Sequence, residues 1–266
     1  MCRTIGLGDR QVTDPADIPK LIKVAEGFYV RQEIDNIAWA DLGGYAIAVD
    51  ALEHPEKAHD VFDAITETIG DLPIRHMLNT HTHYDHVALN GAFERRYGTE
   101  IVNQQATPLG ADGRWFEGPL RRVWMLPMPG CHTSEDCVVW IPEDRALFVG
   151  DIFGWGLIPL TTSLRQQTAE LLLATYARLI DFNAAVVIPG HGPLITNAEL
   201  KRWVAYFRWL IERISTGSVA DKSDQQLRAE LPPPEDMRHW WRFVAWKHED
   251  SVTKILSAVR RGRLGG

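Results

Sequence analysis

Apolar residues in this chain fall into short runs bounded by turn formers, interrupted by stretches where they recur every three or four positions. Residues 28–30, 37–40 and 45–49 read as strands, with Leu42-Gly43-Gly44 as the turn of a hairpin between the last two. Residues 55–69 read as a helix: Pro55 suits a first turn, and Val61, Phe62, Ile65 and Ile69 share one face. A buried strand over 74–80 follows. Asp85 is placed to cap a helix from His86 through Phe93 to Tyr97, ended by Gly98. Residues 101–102 form a short strand, and 107–119, rich in glycine and proline, a loop. Three further strands are expected at 123–126, 137–141 and 146–149. An amphipathic helix over 168–182 carries Leu172, Tyr176, Leu179 and Ile180 on one side, and 185–188 is a buried strand closed by Pro189-Gly190-His191-Gly192. Thr196 and Glu199 make a capping-box pattern for a helix to Ile214, on which Trp203, Phe207, Leu210 and Ile214 keep core spacing. Strands followed by a helix, in an order that occurs twice, predict a four-layer α/β sandwich with helices outside two sheets.

The ends divide differently. Residues 1–20, broken by Asp14-Pro15 and Ile18-Pro19, read as an irregular lead-in; 21–216 form the main domain; 217–224 are polar and linker-like, opening a helical extension over 217–266. Its helical tail, 235–261, is dense in aromatics: Trp240, Trp241, Phe243 and Trp246. Core packing is the first expectation for them, with covering of a cleft or pairing in a homodimer as alternatives.

Composition narrows the partners. With 266 residues and 45% hydrophobic content, a large core forms without disulfides. A formal net charge of −7 disfavours nucleic acid. No apolar run reaches the length of a membrane span, and the first residues lack an apolar signal core, so a cytoplasmic protein with a small-molecule substrate is expected. Cys2, Cys131 and Cys137 are too few for a disulfide framework. Cys131 reads as a small buried side chain, although it adjoins His132.

The chemistry concentrates in Thr80-His81-Thr82-His83-Tyr84-Asp85-His86. Packing requires no such run of imidazoles and carboxylate. In extended chain past the strand, residues 81, 83 and 85 point to one side, so one loop can offer two imidazoles to one ion and a carboxylate plus imidazole to another. His132 in a turn, Asp151 after Val149-Gly150, and His191 after Pro189-Gly190 lie at strand ends beside glycine, where side chains face clefts. Singly, each is a turn histidine or a helix cap. Together they supply the missing ligands. His54, His59, His76, His239 and His248 lack this setting and read as surface or packing residues.

The set His81-x-His83-x-Asp85-His86, His132, Gly150-Asp151 and Pro189-Gly190-His191-Gly192 resembles the metallo-β-lactamase superfamily over roughly residues 20–215. The resemblance implies the αββα fold of that family, and a first metal on His81, His83 and His132, a second on Asp85, His86 and His191, with Asp151 bridging. Asp50 resembles an acid that orients a ligand imidazole. Two divalent ions are implied, zinc first, with iron or manganese as alternatives. Ions about 3.5–4 Å apart lower the pKa of a shared water from about 15.7 to about 7. Asp85 would steer the resulting hydroxide onto an ester, thioester, lactone or amide carbonyl. Histidine at 83 sets the chain apart from flavodiiron proteins, which carry glutamate there. A mononuclear iron persulfide dioxygenase using His81, His132 and Asp151 is the rival, and a phosphodiester or phosphotriester hydrolase a further alternative. Hydroxyacylglutathione hydrolases need cations for the glutathione carboxylates, and no such cluster stands out in the C-terminal sequence. Ala88-Leu89 replaces a pair of glycines common in the family. Tyr84, Phe153, Trp155 and Leu157 are candidates for a hydrophobic substrate wall, against core packing with equal weight.

Overall fold

The computed structural model describes residues 18–160, 162–216 and 222–264. Of the expected lead-in, residues 1–17 lie outside this set, as do Cys2 and 217–221 of the linker. One sheet joins β1 (Lys20–Ala25), β2 (Phe28–Gln32), β3 (Ile37–Asp41), β4 (Ala46–Val49), β5 (Ile74–Leu78) and β6 (Glu100–Val102) in sequence order. It is antiparallel as far as β4, and β4–β5–β6 are parallel. The second sheet joins β7 (Arg114–Glu117), β8 (Arg122–Pro127), β9 (Cys137–Ile141), β10 (Ala146–Gly150) and β11 (Val186–Pro189), antiparallel except for the β10–β11 pair. The helices are α1 (Ala58–Ile69), α2 (Tyr84–Val87), α3 (Asn90–Tyr97), α4 (Gln166–Asp181), α5 (Asn197–Thr216), α6 (Asp224–Glu230) and α7 (His248–Arg260).

Three apolar cores separate four layers. Side chains alternate across each strand, so the central strands face apolar surroundings on both sides and read as continuous apolar runs. In β4, Ala46 and Ala48 pack outward with Trp39 and Met77 under Val61, Phe62 and Ile65 of α1 and Phe93 of α3. Ile47 and Val49 point inward and meet Val123, Met125, Val139 and Phe148 of the second sheet. The far face of that sheet, with Val138, Leu147 and Val187, is covered by Leu172 and Tyr176 of α4, Trp203 and Phe207 of α5, and Trp240, Phe243 and Ile255 of the tail. The result is the αββα sandwich that the order of elements implies.

Several elements depart from expectation. β1 and β7 are edge strands, and their mixed charged and apolar residues carry no buried run to betray them. α6 follows the expected linker, capped by Ser223 and Gln226. The helix expected from His86 to Tyr97 is two, and Asp85 lies inside α2 rather than capping it. Tertiary partners intercept its hydrogen bonds: Asn79 Nδ2 donates to His86 O (2.8 Å), Ala88 N–H to Leu52 O (3.3 Å) and Leu89 N–H to Ala51 O (2.9 Å). Leu89 is thereby buried in the core beneath α1, which explains an apolar residue where glycines were noted as common. The tail is also broken, into a 3₁₀ turn (Glu235–Met237), a π turn (Phe243–Lys247) and α7. The capping box of α5 forms: Glu199 accepts the Thr196 N–H at 2.9 Å and Thr196 Oγ1 the Ala198 N–H at 3.2 Å.

Trp203 pins the outer layer. Its ring stacks on Tyr176 at 4.0 Å and on Phe207 at 5.0 Å, and its Nε1–H donates to Leu157 O at 3.2 Å. Trp203→Ala leaves a large cavity and an unpaired carbonyl, and is expected to lower stability by about 3–5 kcal/mol in urea unfolding.

Candidate metal centre

The site lies where the ends of two parallel strand pairs, β4–β5 and β10–β11, open onto one rim. Asp50 follows β4, the histidine loop follows β5, Asp151 follows β10 and His191 follows β11, while His132 comes from the β8–β9 connection. Asp50 is buried, at a φ of +56°. Its carboxylate accepts the Thr80 N–H (2.8 Å) and the Thr80 hydroxyl (2.9 Å), fixing the start of the histidine loop, and lies 2.9 Å from His86 Nδ1. The His132 turn is organised by Asp136, which accepts the N–H groups of Cys131 (3.0 Å), His132 (2.7 Å) and Thr133 (2.9 Å) and the Thr133 hydroxyl (2.7 Å). His132 Nδ1 donates to Pro159 O at 2.7 Å, turning Nε2 inward.

The structure brings all seven candidate side chains together. His81, His83 and His132 each offer an atom to one group, Asp85, His86 and His191 to a second, and His81, His86 and Asp151 to a third; within each group those atoms lie within 4.8 Å of one another. Asp151 lies between them. Its Oδ1 is 3.5 Å from His86 Nε2 and 3.3 Å from His191 Nε2, and its Oδ2 is 3.5 Å from His132 Nε2. Asp85 Oδ2 is 3.3 Å from His191 Nε2.

These residues fit divalent cations. His81 Nε2, His86 Nε2 and Asp151 Oδ1 are buried without a hydrogen-bond partner, an arrangement that costs free energy unless something else saturates them. Burial, helped by the neighbouring imidazoles, pushes His81 down to about 2, so it is a neutral donor. Burial also opposes charge on His86, but Asp50 and Asp151 outweigh it and raise His86 to about 10. Asp85, against its own burial, is brought down to about 2 by His191 and His86. The carboxylates thus demand positive charge at this point, and imidazole with carboxylate is a donor set that zinc and similar ions take.

Two glycines let the strand ends close in. A Cβ on Gly150, at φ +50°, would lie 2.5 Å from Thr80 Oγ1; one on Gly190 would overlap Asp151 Oδ1 and lie 2.7 Å from His86 Cε1. Asp35, Asn36 and Asp136 support the site although sequence reasoning passed over them. The polar Asp35-Asn36 pair between two strands was the only trace of the first two.

Of the four residues weighed between a substrate wall and the core, two are packed beneath the tail. Phe153 and Trp155 are 1% and 7% exposed and pack on each other and on Trp240 with ring centroids 5.6–5.9 Å apart. They belong to the core because this segment folds under the tail. Tyr84, 63% exposed, and the partly exposed Leu157 remain at the surface. Cys131 is buried and burial raises its thiol to about 11, in keeping with a packing role. His54 and His59 pair with surface acids, and His248 sits buried between Tyr206 and Leu231 O. Trp241 packs over Gly192, the neighbour of His191, and a cavity of about 560 Å³ opens there. Trp155, Trp240, Trp241, Arg238 and Arg242 line it. No helix among the described residues is long and apolar enough to cross a membrane. Gly190→Ala is expected to displace Asp151 or His86 and cut the divalent ions retained per chain, with the far-UV circular dichroism kept; elemental analysis of the purified variant checks it.

Comparison with known proteins bears on the family and the fold. Residues 36–108 and 101–191 match the metallo-beta-lactamase superfamily. A hydroxyacylglutathione hydrolase of Rhizobium meliloti (strain 1021) is 30% identical over 168 residues, 59% of this chain and 61% of that protein. The chain therefore spans about three-fifths of the length of that relative. The hydroxyacylglutathione hydrolase GloC of Haemophilus influenzae is 26% identical over 64% of this chain and 91% of its own length. Among solved structures, a metallo-beta-lactamase from Pontibacter korlensis superposes with a TM-score of 0.57 at 18% identity, covering 71% of this chain and 98% of that one. The sec-alkylsulfatase Pisa1 from Pseudomonas sp. reaches 0.67 at 14% identity over 92% of this chain and half (50%) of its own. With the matched profile running across both sheets and every strand end that carries a site residue, the chain belongs to the metallo-beta-lactamase superfamily.

Proposed function

We propose that this protein is a metal-dependent hydrolase of acyl substrates, working with two divalent ions, zinc foremost. The observation that carries the reading is the position of Asp151 between two three-residue donor groups that share the rim. His81, His83 and His132 would hold one ion, Asp85, His86 and His191 the other, and Asp151 both. Bound there, the ions supply an activated water near neutral pH and polarise the substrate carbonyl.

The chain's own groups do the rest. Asp85, ionised and partly exposed, holds the attacking water by hydrogen bond and takes its proton at a carboxylate oxygen. That proton then goes to the leaving group. Asp50 and Pro159 O hold His86 and His132 with Nε2 inward, so the donors need no rearrangement. Tyr84 stands exposed at the rim, where it would contact substrate.

Within acyl substrates, a thioester with an apolar acyl part and an anionic remainder is the first choice. The relatives named hydroxyacylglutathione hydrolase support it. So does the cavity that begins at Pro193, two residues past His191, where Trp155, Trp240 and Trp241 stand beside Arg238 and Arg242, with Glu199 on the same wall. Lactones and other esters come next.

Elemental analysis of wild-type protein is expected to find about two divalent ions per chain, and a panel of thioesters, lactones, esters and phosphodiesters to show turnover on the first group. One iron per chain with oxygen uptake on a persulfide would replace this reading with the dioxygenase. Asp85→Asn is expected to lower kcat about 10²–10⁴-fold while the unfolding midpoint stays close to wild type; wild-type turnover in that variant removes Asp85 from the proton path.

A further inference from the structure

The connection between β2 and β3 belongs to the first sheet, yet it is laced to the loop that carries His191. Asp35 and His191 pair as an antiparallel bridge. Gly192 N–H donates to Ile34 O (3.0 Å) and Asn36 N–H to Gly190 O (2.8 Å). Asn36 Nδ2 donates to both Pro189 O (2.9 Å) and Gly192 O (2.8 Å). These contacts set the backbone, and by themselves require no acid at position 35.

The acid is nevertheless there, and buried to 4% exposure. One oxygen, Oδ2, accepts the Glu53 N–H at 3.0 Å. The other, Oδ1, is 3.3 Å from His191 Nδ1, the same ring nitrogen that lies 3.1 Å from Ile34 O. Oδ1 has no hydrogen bond of its own. A buried carboxylate is costly unless a donor or positive charge compensates it. Nδ1 thus faces the Ile34 carbonyl with the Asp35 carboxylate beside it, and the ring is turned so that Nε2 lies 3.3 Å from both Asp85 Oδ2 and Asp151 Oδ1.

The two donor groups are therefore backed unequally. His86 and His191 each have a buried carboxylate at Nδ1, from Asp50 and Asp35. His132 has the neutral carbonyl of Pro159, and His81 Nδ1 has the Thr80 hydroxyl at 3.3 Å. A carboxylate behind an imidazole orients the ring and increases its donor strength toward a cation; a carbonyl does mainly the first.

We propose that Asp35 is a positioning residue for His191 that tightens cation binding selectively at the Asp85–His86–His191 group. The inference rests on the two-ion reading and goes beyond it by assigning a residue outside both donor groups and by making the two positions unequal.

The test is a zinc titration of metal-free wild type, Asp35→Asn and Asn36→Ala against a chromophoric chelator, with urea unfolding of each metal-free chain. Asp35→Asn keeps the shape and an acceptor for Glu53 N–H but removes the charge. It is expected to weaken one of the two binding steps about 10–100-fold, to leave the other unchanged, and to shift the unfolding midpoint little. Asn36→Ala removes backbone lacing alone and is expected to lower the unfolding midpoint. Asp35→Glu keeps the charge with a longer reach and is expected to retain more of the weakened step than Asp35→Asn; it also serves if the latter does not fold. Two unchanged steps in Asp35→Asn, or equal weakening of both, overturn the inference while the two-ion reading stands. Parallel losses of stability and binding in Asp35→Asn and Asn36→Ala reduce Asp35 to a structural role and overturn it too. A single zinc per wild-type chain overturns the two-ion reading and this inference with it.

Discussion

The carboxylate of Asp50 is the constraint on which the rest of the site depends. A charge sealed between two sheets is tolerated only where its hydrogen-bonding capacity is met. Here that is done by the amide and hydroxyl of Thr80 and by His86 Nδ1. Those partners belong to the end of the neighbouring parallel strand, so the acid fixes how far β5 runs and where the histidine loop begins. The Thr80 carbonyl in turn accepts the Cys137 N–H across the sandwich at 2.7 Å, which ties the first sheet to the His132 turn. Asp50 adopts a left-handed backbone to reach this position, a cost of about 1–3 kcal/mol that the surrounding bonds offset.

Much of this was legible in the sequence, for identifiable reasons. Strands such as β4 and β10 are buried on both faces and therefore appear as unbroken apolar runs ending in glycine or aspartate. The imidazole run at 81–86 has no packing rationale and so announces itself. What stayed hidden depends on partners distant in sequence. β1 and β7 are edge strands, half solvated, and their residues carry no apolar alternation. The break between α2 and α3 arises because Asn79 and the 51–52 backbone take hydrogen bonds that a continuous helix would have kept. Asp35 and Asp136 look like ordinary loop acids until the fold places an imidazole or a ring of amides beside them.

The C-terminal aromatics show the same limit from another side. Their density was plain, but the faces they present were not, because the tail is neither one helix nor evenly wound. The π turn and the left-handed Arg242 rotate Trp241 and Phe243 toward the loops after β11 and β10. Gly192 and Gly156 lack side chains where those rings arrive. Phe153 and Trp155 are drawn against the tail by that closure, and Trp155 shares the cavity wall with Trp240 and Trp241.

Glycines at the two rims of the sandwich face opposite surroundings. Gly70 and Gly98 terminate α1 and α3 just before β5 and β6 begin, and no atom lies within 4 Å of where a side chain would start. Gly150 and Gly190, at the ends of β10 and β11 in the second sheet where the site residues emerge, have no room at all. Evolutionary drift therefore has unequal latitude at these two pairs of positions. One edge of the molecule is free to acquire bulk, decoration or extra turns as lineages diverge, whereas the other is held to the smallest residue, so its history should be written in loops between the glycines rather than at them.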